Sequence, residues 1–161
     1  MKRRTFLIQG TAAAAVLGSG VFRQAVAAGE PVAETAAGKV RGVRKGNVYA
    51  FRGIPYCAST AGANRFMPPQ KPKPWSGVKD AIEFGGRSPQ TMPGIEPPEV
   101  LATDPREPLS EDCLVLNVWT QGLRSGKRPV MVWLHGGGFT GGSASFSIYD
   151  GTNLARKQDV V

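Results

Sequence analysis

The 161-residue sequence predicts an α/β fold built around a sheet covered on both faces. Three observations carry that expectation. Two runs, Cys113 to Trp119 (CLVLNVW) and Pro129 to Leu134 (PVMVWL), flank the turn-forming segment GLRSGK and are apolar on both alternating faces. Such runs read as strands buried on both sides, as in a sheet packed between helices. A glycine run, Gly136-Gly137-Gly138, stands directly behind the second of them. The composition, with 21 Gly and 13 Pro, exceeds the usual combined share of about 12% and argues for a loop-rich chain against a helical bundle or coiled coil. Collagen is excluded because no Gly-X-Y period exists.

The amino terminus reads as an address. Arg3 and Arg4 precede Thr5-Phe6-Leu7, a weakly apolar stretch runs from Thr11 to Phe22, and Ala25-Val26-Ala27 supplies a small-x-small cleavage site. This is a signal-peptide layout, so residues 1–27 are expected to be removed and residues 28–161 to fold. Cleavage after Ala28 fits nearly as well. A stable membrane anchor needs about 20 strongly apolar residues, which this Ala-, Gly- and Ser-rich stretch lacks. An amphipathic helix of the mature protein fails because Thr11 to Gly20 has no polar face. Arg-Arg-x-Phe-Leu resembles the twin-arginine export signal, implying recognition by export machinery and a periplasmic or secreted destination in a bacterium. The segment also explains part of the +8 net charge, since removing Lys2, Arg3, Arg4 and Arg23 leaves 16 basic against 12 acidic residues, or +4. The densest remaining cluster, Lys39, Arg41, Arg44 and Lys45, has few aromatic partners and reads as a solvated hairpin face, with no nucleic-acid groove.

GKVRGV from Gly38 and KGNVYAFRGIPY, meeting at Lys45-Gly46-Asn47, are expected to form a hairpin. From Ala58 to Pro108 ten prolines interrupt nearly every possible helix, which predicts a long connection. After the two apolar strands and the glycine loop, Asp150-Gly151 forms a turn and Thr152 caps a short helix, Asn153 to Gln158. Asp159-Val160-Val161 reads as the start of another buried strand. A sheet left unfinished there suggests the amino-terminal part of a larger protein.

Chemistry concentrates in His135-Gly136-Gly137-Gly138-Phe139. Consecutive glycines adopt conformations closed to residues with a Cβ and let amide N–H groups face a ligand unobstructed. Such amides can hold a developing oxyanion. A flexible glycine turn is the plain alternative, and a phosphate loop is weaker because no Lys-Ser/Thr pair follows. A strand followed by HGGG matches the loop that contributes to the oxyanion hole of α/β-hydrolases.

The resemblance is wider than this motif. FRGIPYC, NRFMPPQKPKPWSGV, SEDCLVLNVW, PVMVWLHGGGF and YDGTNLARKQDVV occur in the order and rough spacing of the type-B carboxylesterase family. The resemblance covers about Val32 to Val161 and implies an α/β-hydrolase fold with a small amino-terminal antiparallel sheet. It also implies hydrolysis of small-molecule carboxylic esters through a serine acyl-enzyme. It makes Gly137 and Gly138 the loop amides of the oxyanion hole, gives Gly136 the shaping of the turn, and gives His135 backbone support without a general-base role. Phe139 corresponds to a wall of the acyl pocket, with a plain core residue as the alternative. Arg65 and Glu111 correspond to an internal ion pair tying the proline-rich connection to the SEDC strand, with two unrelated surface charges as the alternative.

Departures from the pattern matter equally. No Gly-x-Ser-x-Gly elbow is present, since Gly141-Gly142-Ser143-Ala144-Ser145 ends in Ser. His135 is the one histidine, and a Ser-His-Asp/Glu triad needs another. The triad is therefore expected downstream of Val161, and the isolated chain is expected to be inactive. Cys113 matches a family position that often pairs with an earlier cysteine, but Ser88 stands where that partner would be. Free thiols are the default reading for Cys57 and Cys113, and a bridge between them the alternative. No cofactor is implied, nor a metal, because one His and two separated Cys lack ligand spacing. Two other readings remain: a catalytically silent, esterase-like binding or adhesion module, and a short exported ligand-binding protein.

Overall fold

Gly42 divides what reads in sequence as one strand into two. The computed structural model describes residues 30–90, 107–123 and 126–161. Arg3, Arg4, the signal segment and both cleavage sites lie outside the described residues, as does the stretch 91–106 of the proline-rich connection. Strands β1 (Val32–Thr35) and β2 (Gly38–Arg41) form an antiparallel hairpin in which Thr35 faces Gly38. The Thr35 hydroxyl closes its turn, donating to the Gly38 carbonyl at 2.7 Å and accepting from the Ala37 and Gly38 amides, each at 3.2 Å.

Past Gly42, β3 (Val43–Lys45) and β4 (Val48–Pro55) form a second hairpin around Gly46-Asn47, with Gly46 at φ +65°. The sequence suggested one hairpin, and two are present. The Gly42 amide donates to Pro31 O at 2.9 Å in the first sheet. A Cβ on Gly42 would overlap the Ala50 carbonyl and the Phe51 ring. Only glycine passes between the sheets there.

Each hairpin recruits one strand. β5 (Val78–Asp80), short and inside the proline-rich connection, lies parallel to β2. β6 (Val115–Thr120), the first apolar run, pairs antiparallel with β4 and shows the expected strand. The sheets are β1-β2-β5 and β3-β4-β6. Between Phe51 and Ile54 the β4–β6 register shifts. There Gly53 sits at φ +66° and its amide donates to Asn117 Oδ1 at 3.0 Å. Val40, Phe51 and Ala81 form the buried centre between the sheets, with Ala33, Tyr49, Ile54, Trp75, Val118 and Leu123 packed around them. Burying a Val or Phe side chain stabilises by roughly 1.5–3 kcal/mol. The basic cluster is on the surface as expected: Arg41 pairs with Asp80 at 2.6 Å and Glu30 at 2.9 Å, and Arg44 donates to Gly46 O.

The second apolar run departs from its expectation. Pro129 to Leu134 forms no strand ladder, and Val130, Met131, Val132, Trp133 and Leu134 are all exposed. The reason is pairing. Val161 donates to Pro129 O at 2.9 Å and accepts from the Met131 amide at 2.7 Å, the pattern of one parallel bridge. A single bridge does not make a ladder, and the ring contact of Trp133 with Tyr149, at 5.6 Å between centroids, leaves the run largely in solvent. Asp159-Val160-Val161, expected to begin a buried strand, likewise forms none: Val161 makes this one bridge, Asp159 is exposed, and Val160 and Val161 are only half-buried.

Helix α1 spans Thr152–Gln158, preceded by Gly151. Thr152 is its first residue and not the cap. Asp150 does the capping work instead, accepting from the Thr152 amide at 2.8 Å. Burial tends to raise the Asp150 pKa, but hydrogen bonding by Thr152 and the charges of Lys45 and Arg52 outweigh it and hold the carboxyl below its ordinary value. Asp159 ends the helix in the left-handed region at φ +50°.

Candidate functional site

The run from His135 to Gly142 folds into a turn that only its glycines permit. Gly137 has φ +131°, Gly138 +58° and Gly142 +110°. A Cβ on Gly137 would overlap the Gly141 carbonyl, so the two ends of the turn touch without room for a methyl group. The Gly137 carbonyl is fixed by three donors: the Thr140 amide at 3.0 Å, the Gly141 amide at 3.3 Å and the Thr140 hydroxyl at 2.9 Å. Among the described residues, neither the Gly137 nor the Gly138 amide N–H has an acceptor. Two adjacent donors therefore stand unused beside a carbonyl that is fully occupied. An anionic oxygen is the chemistry such a pair fits.

The other loop residues fall differently. His135 Nδ1 lies 2.8 Å from Gly136 O. A carbonyl only accepts, so this nitrogen carries the proton and the ring braces the backbone. Gly136 has no positive φ and open space where a Cβ would be, so its conformation does not itself demand glycine. Phe139 takes φ +61°, uncommon for a residue with a side chain. It is fully exposed among the described residues.

Behind the turn lies a polar network that sequence reasoning did not single out. The Gly142 amide donates to Gln90 Oε1 at 2.6 Å, and Gln90 Nε2 donates to Gly142 O at 2.9 Å. Ser143 and Ser145, both buried, donate to the two oxygens of the Glu107 carboxylate at 2.5 and 2.8 Å. The Ser143 hydroxyl is thus held by Glu107 and Ser145, and among the described residues it makes no hydrogen bond to a histidine. The alternation Ser-Ala-Ser, which puts both hydroxyls on one side, was the available signal. Nothing local pointed to Gln90 or Glu107.

Arg65 and Glu111 do meet, at 2.5 Å, but the Arg65 side chain is 57% exposed. The pair is a surface contact and not an internal one. Arg65 stands at the end of a short 3-10 turn, Gly62–Asn64, whose position leaves its guanidinium in solvent. Cys57 and Cys113 are free. Burial pushes the Cys113 thiol pKa up, and burial followed by the nearby cysteine side chains does the same for Tyr56. An open cavity of about 350 Å³ lies elsewhere, between the Gly46 turn and α1, lined by Lys45, Asn47, Asp150, Thr152, Asn153 and Arg156. Its one hydroxyl–carboxylate contact, Thr152 with Asp150, belongs to the start of α1, and no histidine lines the cavity, so the glycine loop is the better candidate.

Comparison with known proteins bears on this geometry. A family profile described as the carboxylesterase family matches residues 29–161. The chain is 41% identical over 132 residues to phenmedipham hydrolase of Pseudarthrobacter oxydans, covering 81% of this chain and 26% of that protein. It is 40% identical over 142 residues to acetylcholinesterase of Bungarus fasciatus, covering 83% and 23%. Among solved structures, a PNB esterase superposes with a TM-score of 0.71 at 37% identity, over 80% of this chain and 26% of that one. A carboxylesterase of Geobacillus stearothermophilus superposes with a TM-score of 0.65 at 40% identity, over 80% and 24%. The chain spans about a quarter of the length of the relatives it matches. These neighbours have the α/β-hydrolase fold and match over their amino-terminal part, so the strands and glycine loop described above are the opening elements of that fold.

Proposed function

Because the chain belongs to the carboxylesterase family, we propose that it supplies the oxyanion-binding loop of an exported enzyme that hydrolyses small-molecule carboxylic esters through a serine acyl-enzyme. The observation that carries this reading is the pair of adjacent amides, Gly137 and Gly138, without an acceptor among the described residues, in a turn that leaves no room for a Cβ at Gly137 or Gly142. When a serine oxygen adds to the ester carbonyl carbon, the carbonyl electron pair moves onto oxygen. The serine proton passes to a histidine base, and the alcohol leaves with that proton. Water then repeats the addition on the acyl-enzyme and releases the acid. Negative charge exists on the oxygen only around each tetrahedral state, so donors aimed at it lower the barrier without tightening substrate binding.

This chain has its one histidine committed to Gly136 and its buried serines committed to Glu107. In this proposal the nucleophile, acid and base come from sequence beyond Val161, and residues 1–27 direct export. Phe139, exposed beside the loop, would form part of the acyl wall.

The test is Gly137→Ala in the complete enzyme, assayed on para-nitrophenyl esters. A lost oxyanion donor is worth about 100- to 1000-fold in kcat. The variant should lose kcat on that scale with KM changed only a few-fold, while thermal unfolding checks that the protein remains folded. A folded Gly137→Ala enzyme with near-normal kcat would reduce the loop to a structural turn.

A further inference from the structure

Five of the seven residues from Gly136 to Gly142 are glycine. Glycine loses more conformational freedom on ordering than any other residue, so such a loop does not hold one shape by its own preferences. Its three positive-φ glycines have no side chains with which to anchor themselves. The anchors come from elsewhere in the chain. Gln90, 52 residues before Gly142, meets both its amide N–H and its carbonyl. Gly142 in turn closes the loop: a Cβ there would stand 2.6 Å from Gly136 O and 2.9 Å from His135 Nδ1. One residue further, Ser143 and Ser145 bind both oxygens of Glu107, whose side chain is only 4% exposed. Arg87 Nε, buried and without a hydrogen-bond partner among the described residues, lies 3.9 Å from the same carboxylate.

We propose that Gln90 and Glu107 are positioning residues that set the aim of the Gly137 and Gly138 amides by pinning the far end of the glycine turn. The proposal rests on the oxyanion-binding reading of the loop. A polar clamp suits this role better than an apolar plug. Apolar packing tolerates sliding, whereas two antiparallel hydrogen bonds to one residue and two hydroxyls on one carboxylate each admit a single register. Apolar replacement of buried polar groups is often neutral for stability, so stability alone does not account for a buried carboxylate here. Precision of placement does, since about 1 Å of misplacement can cost about 100-fold in rate.

The experiment uses the complete esterase with four substitutions: Gln90→Met, which keeps the bulk and removes both hydrogen bonds; Glu107→Ala; Glu107→Gln, which keeps an acceptor for one serine and offers the other, with its hydroxyl turned, an N–H; and Gly137→Ala. Four quantities are measured: kcat per active site titrated with a phosphonate, KM, thermal unfolding, and the affinity of a trifluoromethyl ketone that adds to the serine and places an oxyanion in the hole. Gln90→Met and Glu107→Ala should each lower kcat by about 10- to 100-fold. Each should weaken the ketone by a similar factor and leave KM within a few-fold, and Glu107→Gln should return most of the loss. If the two variants lower only the unfolding temperature, with kcat per site and ketone affinity unchanged while Gly137→Ala loses both, the clamp is merely structural and the proposal fails alone. If Gly137→Ala also leaves both unchanged, the oxyanion reading falls and takes the proposal with it.

Discussion

Phe51→Ala tests whether the two small sheets are held together by the side chain that bridges them. Phe51 is 3% exposed and packs with Val40 of β2 and Ala81 just beyond β5, while it belongs itself to β4. Phe→Ala in a core costs about 3–5 kcal/mol, the spread depending on how far the neighbours collapse into the void. Here they collapse poorly. Ala81 and Gly42 have nothing to extend, and Val40 is β-branched with one preferred rotamer. The upper part of the range follows, about 4–5 kcal/mol. With a urea dependence of about 2 kcal/mol per M, the denaturation midpoint should fall by about 2 M. Tryptophan fluorescence is a suitable probe because Trp75 packs against the same cluster. Phe51→Leu, which keeps most of the volume, should lose much less. A Phe51→Ala loss below about 0.5 kcal/mol, the scale of an ordinary surface site, would refute the assignment of the inter-sheet core to this residue.

Asp150→Asn should destabilise the protein at neutral pH, because the carboxylate's lowered pKa means stability that is present above the unfolded value near 3.9 and lost as pH falls through the folded one. The difference from the parent protein should vanish in acid; a difference that stays constant down to about pH 2 would exclude this linkage. Arg65→Ala should leave the thermal midpoint unchanged, since its guanidinium is mostly in solvent, and a large drop would mean that the contact with Glu111 is buried after all. Replacing Arg3 and Arg4 by Lys should strand the unprocessed protein in the cytoplasm; a processed periplasmic product at normal levels would rule out the twin-arginine route.

What was legible in the sequence depended on how local its cause is. β6 could be read from CLVLNVW and the second hairpin from its Gly-Asn turn, because each pattern reports on residues a few positions apart. Pro129 to Leu134 carries an equally apolar pattern and forms no ladder, because a strand needs a neighbour and Val161 alone supplies one bridge. β5 was missed for the converse reason: Val78–Asp80 is exposed and has no hydrophobic period, and becomes a strand only because β2 lies alongside. Gly42 looked like one glycine among many, and its effect appears only where Ala50 and Phe51 approach it.

The candidate site divides along the same line. HGGGF announces itself because the need for backbone freedom is written at the residues that use it, as the clash between a Gly137 Cβ and Gly141 shows. What makes that freedom useful is written elsewhere. A loop free enough to turn two amides toward one point is also free to turn them away, so its chemistry requires restraints from residues with side chains. Gln90 and Glu107 meet that need from positions 52 and 36 residues away from Gly142 and Ser143, and no periodicity or spacing rule marks a glutamine or a glutamate in a proline-rich connection as a partner of a distant turn. The connection that reads as featureless sequence therefore has a function in the fold: it carries the hydrogen-bonding groups that convert a permissive loop into a specific one.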